Sequence, residues 1–446
     1  MPTIPGASPL RASDRLQIID SLRGIALLGI LLMNILIFGF PDHRSENLLL
    51  HNELSGPNYY TWWVTGFFFE GTMRGIFSLL FGAGCVLLLD RLEKRTDPLT
   101  PPADIYYRRL LWLLAFGIID ANVLLWSGDV LYVYALGGML LYPFRRLKVR
   151  TLLIIAAVGL LIGTLMATAD LYEKKELRTK GEHALMLEKQ KAKLTPKQVK
   201  EKEAWEAHQK KHTPEAQRKE DAEQITEMRG NYGTVLAWSF PRNAHFQLLS
   251  PYDLFYWDLI ICFFLGMALF KAGVLTGGRS RMFYTVLMLT GYALGLSIQY
   301  WEMREVLNIR FDVTRLADRV YLSWYEIRRV LVLLGHIGLI MLVYKAGFAK
   351  KFFTGMAAVG QMAFTNYLMQ SLLCGLFFYG YGLGWYGALE RYQLYYVVGS
   401  VWVIQIIYSN IWLRYFLFGP LEWVWRSLTY WKRQPFRRGV PMMQMA

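Results

Sequence analysis

Long apolar stretches, each broken off by a short segment rich in Lys and Arg, recur along the chain from Leu16 to Phe416. An apolar stretch of about 20 residues crosses a hydrocarbon layer as a helix, because a helix satisfies its own backbone where no water can. The recurrence excludes a soluble domain with one core. It predicts an all-α, polytopic integral membrane protein of about ten transmembrane helices. The expected spans are roughly residues 16–40, 62–89, two within 109–146, then 151–169, 252–270, 282–300, 329–344, 356–379 and 394–416. The first span is long, begins with an acid and an arginine, and lacks a small-residue cleavage site. It is expected to be a retained helix and not a signal peptide.

Charge fits the same frame. The chain of 446 residues carries a formal net charge of +15. In a soluble protein that would suggest nucleic acid. Here the excess sits in short loops between spans, so no nucleic-acid partner is expected and the lipid bilayer is. With an even number of spans, both termini fall on one side. Short loops on that side hold 23 Lys and Arg, against 6 on the other. The positive-inside rule therefore puts both termini in the cytoplasm. Four regions result: an N-terminal membrane bundle (1–169), a charged soluble insertion (170–246), a C-terminal membrane bundle (247–420) and an amphipathic basic tail (421–446). The insertion is dense in Lys, Glu and Gln with opposite charges four apart, the pattern of solvated extracytoplasmic helices. Cys85, Cys262 and Cys374 lie singly inside apolar spans, and no His or Cys spacing suits a metal.

Between the basic ends of the hairpin 109–146, Arg109 and Arg145-Arg146, the only formal charges are Asp120 and Asp129. At about 1.5 Å per residue, Asp120 lies roughly 16 Å from the basic end, near the middle of a hydrocarbon layer about 30 Å thick. A carboxyl there is costly and is usually functional. Asp129 starts the returning helix, so it either caps free amides or shares a polar pocket with Asp120. A base used in acyl transfer needs an acid beside it, which brings His51 of the first outer loop into consideration.

Other polar groups interrupt the spans. Asp20 and Arg23 are three apart and can pair; the alternative is an arginine offered to a cytoplasmic phosphate. Asn34 lies further along the same helix. Glu70 and Arg74 stand at i, i+4, so Arg74 either satisfies Glu70 or faces a cavity. Gly82 and Gly84 are expected to serve close helix packing, since the strand-turn-helix setting of a nucleotide loop is missing. Asn366 and Gln370 share one face of span nine, where they either bind other helices or line a path.

Several motifs together resemble the YeiB-like family of bacterial membrane proteins (domain of unknown function 418). They are IIDSLRGIALLGILLMNI at the start, FSLLFGAG, the LLW, GDVL and YAL pieces of the hairpin, FFLGMALFKAGVL, GQMAFTNYLMQS and IWLRYFLFGPLEWVWRSLT. That family is more distantly similar to transmembrane acyltransferases, including heparan-glucosaminide acetyltransferases and the acyltransferase type 3 group. The resemblance implies a bacterial inner-membrane protein that moves an acyl group from cytoplasmic acyl-CoA to a small-molecule or glycan acceptor at the periplasmic side. One departure stands out: where family members commonly carry a histidine before the GD motif, this chain reads Gly117-Ile-Ile-Asp120.

The expected assignments follow. Asp120, Asp129 and His51 would be catalytic; Arg23, Asp20 and Arg74 would hold the acyl-CoA; Asn34, Asn366 and Gln370 would meet the acceptor. No metal is required, and a homodimer is open. The alternative is a proton- or ion-coupled small-molecule transporter that uses the same buried acids.

Overall fold

A computed structural model describes residues 16–94, 101–249 and 254–438. These residues are almost wholly helical, with one isolated bridge, Phe416 to Arg437. Each expected span falls on helix over its described residues; 252 and 253, which begin the sixth, lie outside them. In chain order the helices are α1 (Gln17–Gly39), α2 (Asp42–Glu46), α3 (Gly56–Phe69), α4 (Thr72–Glu93), α5 (Pro102–Asn122) and α6 (Leu131–Leu141). Next come α7 (Val149–Lys189), α8 (Pro196–Lys211), α9 (Pro214–Met228), α10 (Tyr232–Leu249) and α11 (Leu254–Lys271). The last six are α12 (Arg281–Asn308), α13 (Tyr325–Ala346), α14 (Lys350–Gln361), α15 (Ala363–Phe378), α16 (Arg391–Tyr415) and α17 (Pro420–Tyr430). Among the described residues, six helical segments are long and apolar enough to cross a membrane unaided. Others carry more charge, such as α5 with its two arginines and two aspartates, of which Asp120 in the span faces inward.

Two spans are broken. Span two stops at Glu70 and restarts after Gly71, which takes φ +71°. Span nine breaks at Met362. Span five does the opposite. It continues without interruption for 41 residues to Lys189, about 61 Å by helix rise, so residue 170 lies inside α7.

The charged segment after α7 folds back over one end of the bundle. Asp221 of α9 accepts hydrogen bonds from the backbone N–H of His43 and Arg44, at 3.1 and 3.0 Å. Arg229 donates to Tyr386 O at 2.8 Å, and the Gly380 amide donates to Met228 O at 2.9 Å. This is the capped end. The basic end is the opposite one, where α1 begins and α17 lies.

The helices interleave. α1 packs on α4, α14, α15 and α16, α4 packs on α11, and α12 pairs with α13. Glycines set the closest crossings. A Cβ on Gly360 would meet Asp20 O at 1.8 Å, and one on Gly82 would meet Phe263 O at 2.1 Å. Backbones approach this closely only through small residues, the usual device where lipid removes the hydrophobic drive between helices.

Candidate functional site

A cavity of about 470 Å³ opens at the basic end between α1, α4, α5, α15 and α17. Its mouth carries Arg23, Arg91, Lys94, Arg109 and Arg426, with Glu422 as the one acid among the described wall residues. Deeper in, the walls turn apolar (Phe77, Leu80, Phe81, Leu110 and Leu113), and the inner end is formed by Leu131, Tyr134 and Tyr367. Gly84 contributes open wall: a Cβ there would meet nothing within 4 Å. The Gly-x-Gly of α4 therefore splits its roles, with Gly82 as a helix crossing and Gly84 as cavity space.

The basic groups are held differently. Arg23 pairs with Asp20 at 3.1 Å, as the spacing predicts, and still faces the cavity. Arg109 stacks on the Trp425 ring at 3.7 Å. Glu422 is occupied with structure. It accepts from the Phe364 and Thr365 amides at 2.7 and 3.0 Å, closing the start of α15 after the break at Met362. That leaves a mouth rich in guanidinium and suited to phosphate oxygens.

At the inner end the hydroxyl of Tyr367 is surrounded. It accepts from Trp126 Nε1 at 3.2 Å and from the Val130 amide at 3.1 Å, and its own proton points to Asp129 Oδ1 at 3.5 Å. Asp129 accepts from the Leu131 and Tyr132 amides, both at 3.0 Å, which is the capping role predicted for it. Asp120 stands beside Asp129 and Ser371, is fully buried, and has no hydrogen bond of good geometry on either oxygen. The two acids thus share one pocket, behind Tyr367 as seen from the cavity. Close approach of α5 to the start of α6 brings them together: a Cβ on Gly117 would lie 2.7 Å from Asp129 Oδ2. The connecting turn is strained, with Leu125 at φ +60° and buried, and it turns Trp126 inward to stack on Phe38 at 3.8 Å.

The remaining expected residues lie elsewhere. His51 ends a short 3-10 turn at the capped end. The charged groups that face it are Arg44, Glu53, Arg218 and Glu390, and neither aspartate is among them. It does not orient on the acid pair. Arg74 is not part of the cavity wall; it is tied to Asp258 of α11 at 2.5 Å. Its expected pairing with Glu70 fails because the helix breaks between them, and Glu70 instead meets Arg328 at 3.1 Å. Asn366 and Gln370 bind helices. Asn366 donates to Ser409 Oγ at 2.9 Å and Gln370 to Gln405 Oε1 at 3.1 Å, joining α15 to α16. Asn34 is half-buried on α1 and does not reach the cavity.

Tyr367 follows Asn366 directly, and a step of about 100° around the helix puts it on another face. Asn366 and Gln370 therefore face α16, while Tyr367 and Ser371 of the same stretch face the acid pair. Arg109 and Arg426 were visible only as loop and tail charges; their convergence needs α17 to lie against α5.

The arrangement defines an all-helical polytopic membrane protein with a basic-mouthed internal cavity that ends at a tyrosine and a pair of buried acids. Residues 269–432 match the family described as "Protein of unknown function (DUF418)". The uncharacterized protein YxaH of Bacillus subtilis is 29% identical over 436 residues, covering 96% of this chain and 98% of its own. The uncharacterized protein YeiB of Escherichia coli is 27% identical over 441 residues, covering 93% and 96%. The C-terminal membrane part thus matches the DUF418 family, and the chain is similar to YeiB-like proteins over nearly its whole length. No solved structure matches it.

Proposed function

We propose that the protein is a membrane-bound acyltransferase of the bacterial inner membrane, with both termini in the cytoplasm. On this reading acyl-CoA enters from the basic end, its phosphates held at the mouth by Arg23 and Arg109, and its pantetheine and acyl parts lying along the apolar walls. One observation carries the reading: the cavity is cationic at its mouth, apolar along its length and ends at Tyr367, whose proton points to Asp129. The chemistry is simple transfer. An acceptor hydroxyl or amine gives its proton to the carboxyl pair as its oxygen or nitrogen attacks the thioester carbonyl. The C–S bond then breaks, and the departing thiolate takes a proton to leave as free CoA thiol. The surrounding helices keep water from the thioester.

Binding tests this. Of the three cysteines, Cys85 lines the cavity, while Cys262 and Cys374 are buried outside it. In purified protein in nanodiscs, octanoyl-CoA is expected to slow alkylation of Cys85 saturably. Arg109→Ala or Arg23→Ala is expected to weaken that protection by roughly 10- to 150-fold, the range for losing a charged hydrogen bond worth about 1.5–3 kcal/mol. No protection in the unmutated protein would end the reading.

A second reading then takes over, an ion-coupled small-molecule transporter. It has its own support in the helix break at Glu70 and Gly71. There Glu70, Asp258, Glu302 and Glu326 surround Arg74, Arg328 and Arg329 inside the bundle. Broken helices beside buried charge are a common setting for ion sites.

A further inference from the structure

Asp120 is the exception among the buried carboxyls. Asp129, Glu422 and Asp221 are buried too, and each accepts at least two backbone amides. Asp20, Glu53, Asp258 and Glu326 each pair with an arginine instead. Asp120 is as deeply buried and has neither an amide nor a cation; its polar neighbours are the Ser371 hydroxyl and the Asp129 carboxyl. A buried carboxyl with neither amides nor a cation to offset its desolvation costs free energy that the fold alone gives no reason to keep. The donor cavity does not explain it, because the cavity stops at Leu131 and Tyr367 and Asp120 lies beyond them.

On the other side of Asp120 is the capped end. The last turn of α5, which carries Asp120, is covered there by α10. Asn243 donates to Ala121 O at 2.5 Å, and the Tyr232 hydroxyl donates to Val123 O at 2.9 Å. These two side chains occupy carbonyls that a helix end would otherwise leave to water. Asn243 is itself buried, and its Oδ1 has no partner. Pro241 sits inside α10, where it removes one backbone hydrogen bond and leaves a ready bending point.

We infer that Asp120 is the anchor of the second substrate, a molecule that brings its own hydroxyl or amine donors, and that this substrate reaches it from the capped end when α10 lifts off α5. The chemistry rests on the transfer reading above; the route does not. A carboxyl met only by one hydroxyl and a second carboxyl keeps acceptor capacity for a ligand's N–H or O–H groups, and that second carboxyl repels anions. The two substrates then approach the acid pair from opposite ends, with Tyr367 and Asp129 between them.

Thiol accessibility tests the route without an assay of turnover. Ser371→Cys puts a thiol beside Asp120, in a background with Cys85 and Cys374 replaced by serine or alanine. A charged, membrane-impermeant methanethiosulfonate applied at the capped side is expected to label it. Combining Asn243→Ala with Tyr232→Phe is expected to speed labelling at least tenfold. Application at the basic side is expected to give none. Labelling only from the basic side, or no change on loosening α10, overturns the route.

A second measurement covers the anchor. Asp120→Asn is expected to leave the thermal midpoint unchanged or raise it, since the carboxyl does not support the fold. A fall of several degrees would make Asp120 structural and overturn the assignment. Cys85 protection by octanoyl-CoA, read on protein that keeps Cys85, reports the donor site separately. Loss of that protection with capped-side labelling intact would sink the transfer reading and leave the route standing.

Discussion

Gly84→Trp separates binding from folding. A Cβ at Gly84 meets nothing within 4 Å, and the residue forms part of the cavity wall, so an indole there enters empty space and not a packed crossing. A benzene ring fills a cavity of about 150 Å³, so an indole removes at least roughly a third of the 470 Å³ available. If that excludes even four methylenes of a bound acyl or pantetheine chain, at about 0.8 kcal/mol each, the loss is about 3 kcal/mol, or roughly 200-fold in Kd. The assay is the concentration of octanoyl-CoA that half-protects Cys85, run beside a thermal midpoint. The companion variant Gly82→Ala acts in reverse. Its Cβ would lie 2.1 Å from Phe263 O, so it forces α4 from α11 and costs about 1–3 kcal/mol of stability. A well-folded Gly84→Trp protein that binds octanoyl-CoA as tightly as the parent would refute the cavity as the donor site.

Three further outcomes are expected. Tyr367→Phe leaves the Trp126 Nε1–H and the Val130 N–H without their acceptor in a buried place; it should lower stability by about 2–4 kcal/mol, visible in chemical denaturation, while protection of Cys85 persists. Glu53→Ala should cost about 3–5 kcal/mol, because Glu53 holds the buried Arg44 and Arg391 guanidiniums at 3.2 and 2.6 Å and its loss leaves two buried cations; a midpoint within one degree of the parent would count against that. For His51, partial burial and the nearby Arg44 guanidinium push the imidazole below its ordinary value, so the fold prefers the neutral ring. Its stabilising contribution is therefore present above the usual imidazole range near pH ~6.5 and falls away as the pH drops toward the folded value. The ring is exposed, so the effect is small: His51→Gln should lose slightly less stability than the parent between pH 7 and 5, and an equal or greater loss would reverse the sign argued here.

The helical membrane architecture was legible in the chain because it depends on local properties. Length of an apolar run and the scarcity of charge within it decide a span wherever it later packs. The acid pair was legible for a related reason: Asp120 and Asp129 belong to one hairpin, and a short turn leaves them few other places to go. The two helix breaks were harder. Nothing near Glu70 announces a stop except Gly71, and glycines occur unbroken throughout the other spans. The break nevertheless decides whom Glu70 and Arg74 meet.

What the sequence determined alone was a lipid-embedded helical bundle, its approximate spans and a pair of carboxyls enclosed within it, since apolar length and intramembrane charge act through the solvent and not through neighbours. The tertiary structure decided which polar groups face an open space. Arg23, Arg109 and Arg426 reach one mouth only because α1, α5 and α17 converge there, and Tyr367, not its neighbour Asn366, faces the cavity only because of how α15 is turned. The same packing left Asp120 without the amides or arginines that the other described buried acids meet, and no local pattern records that difference.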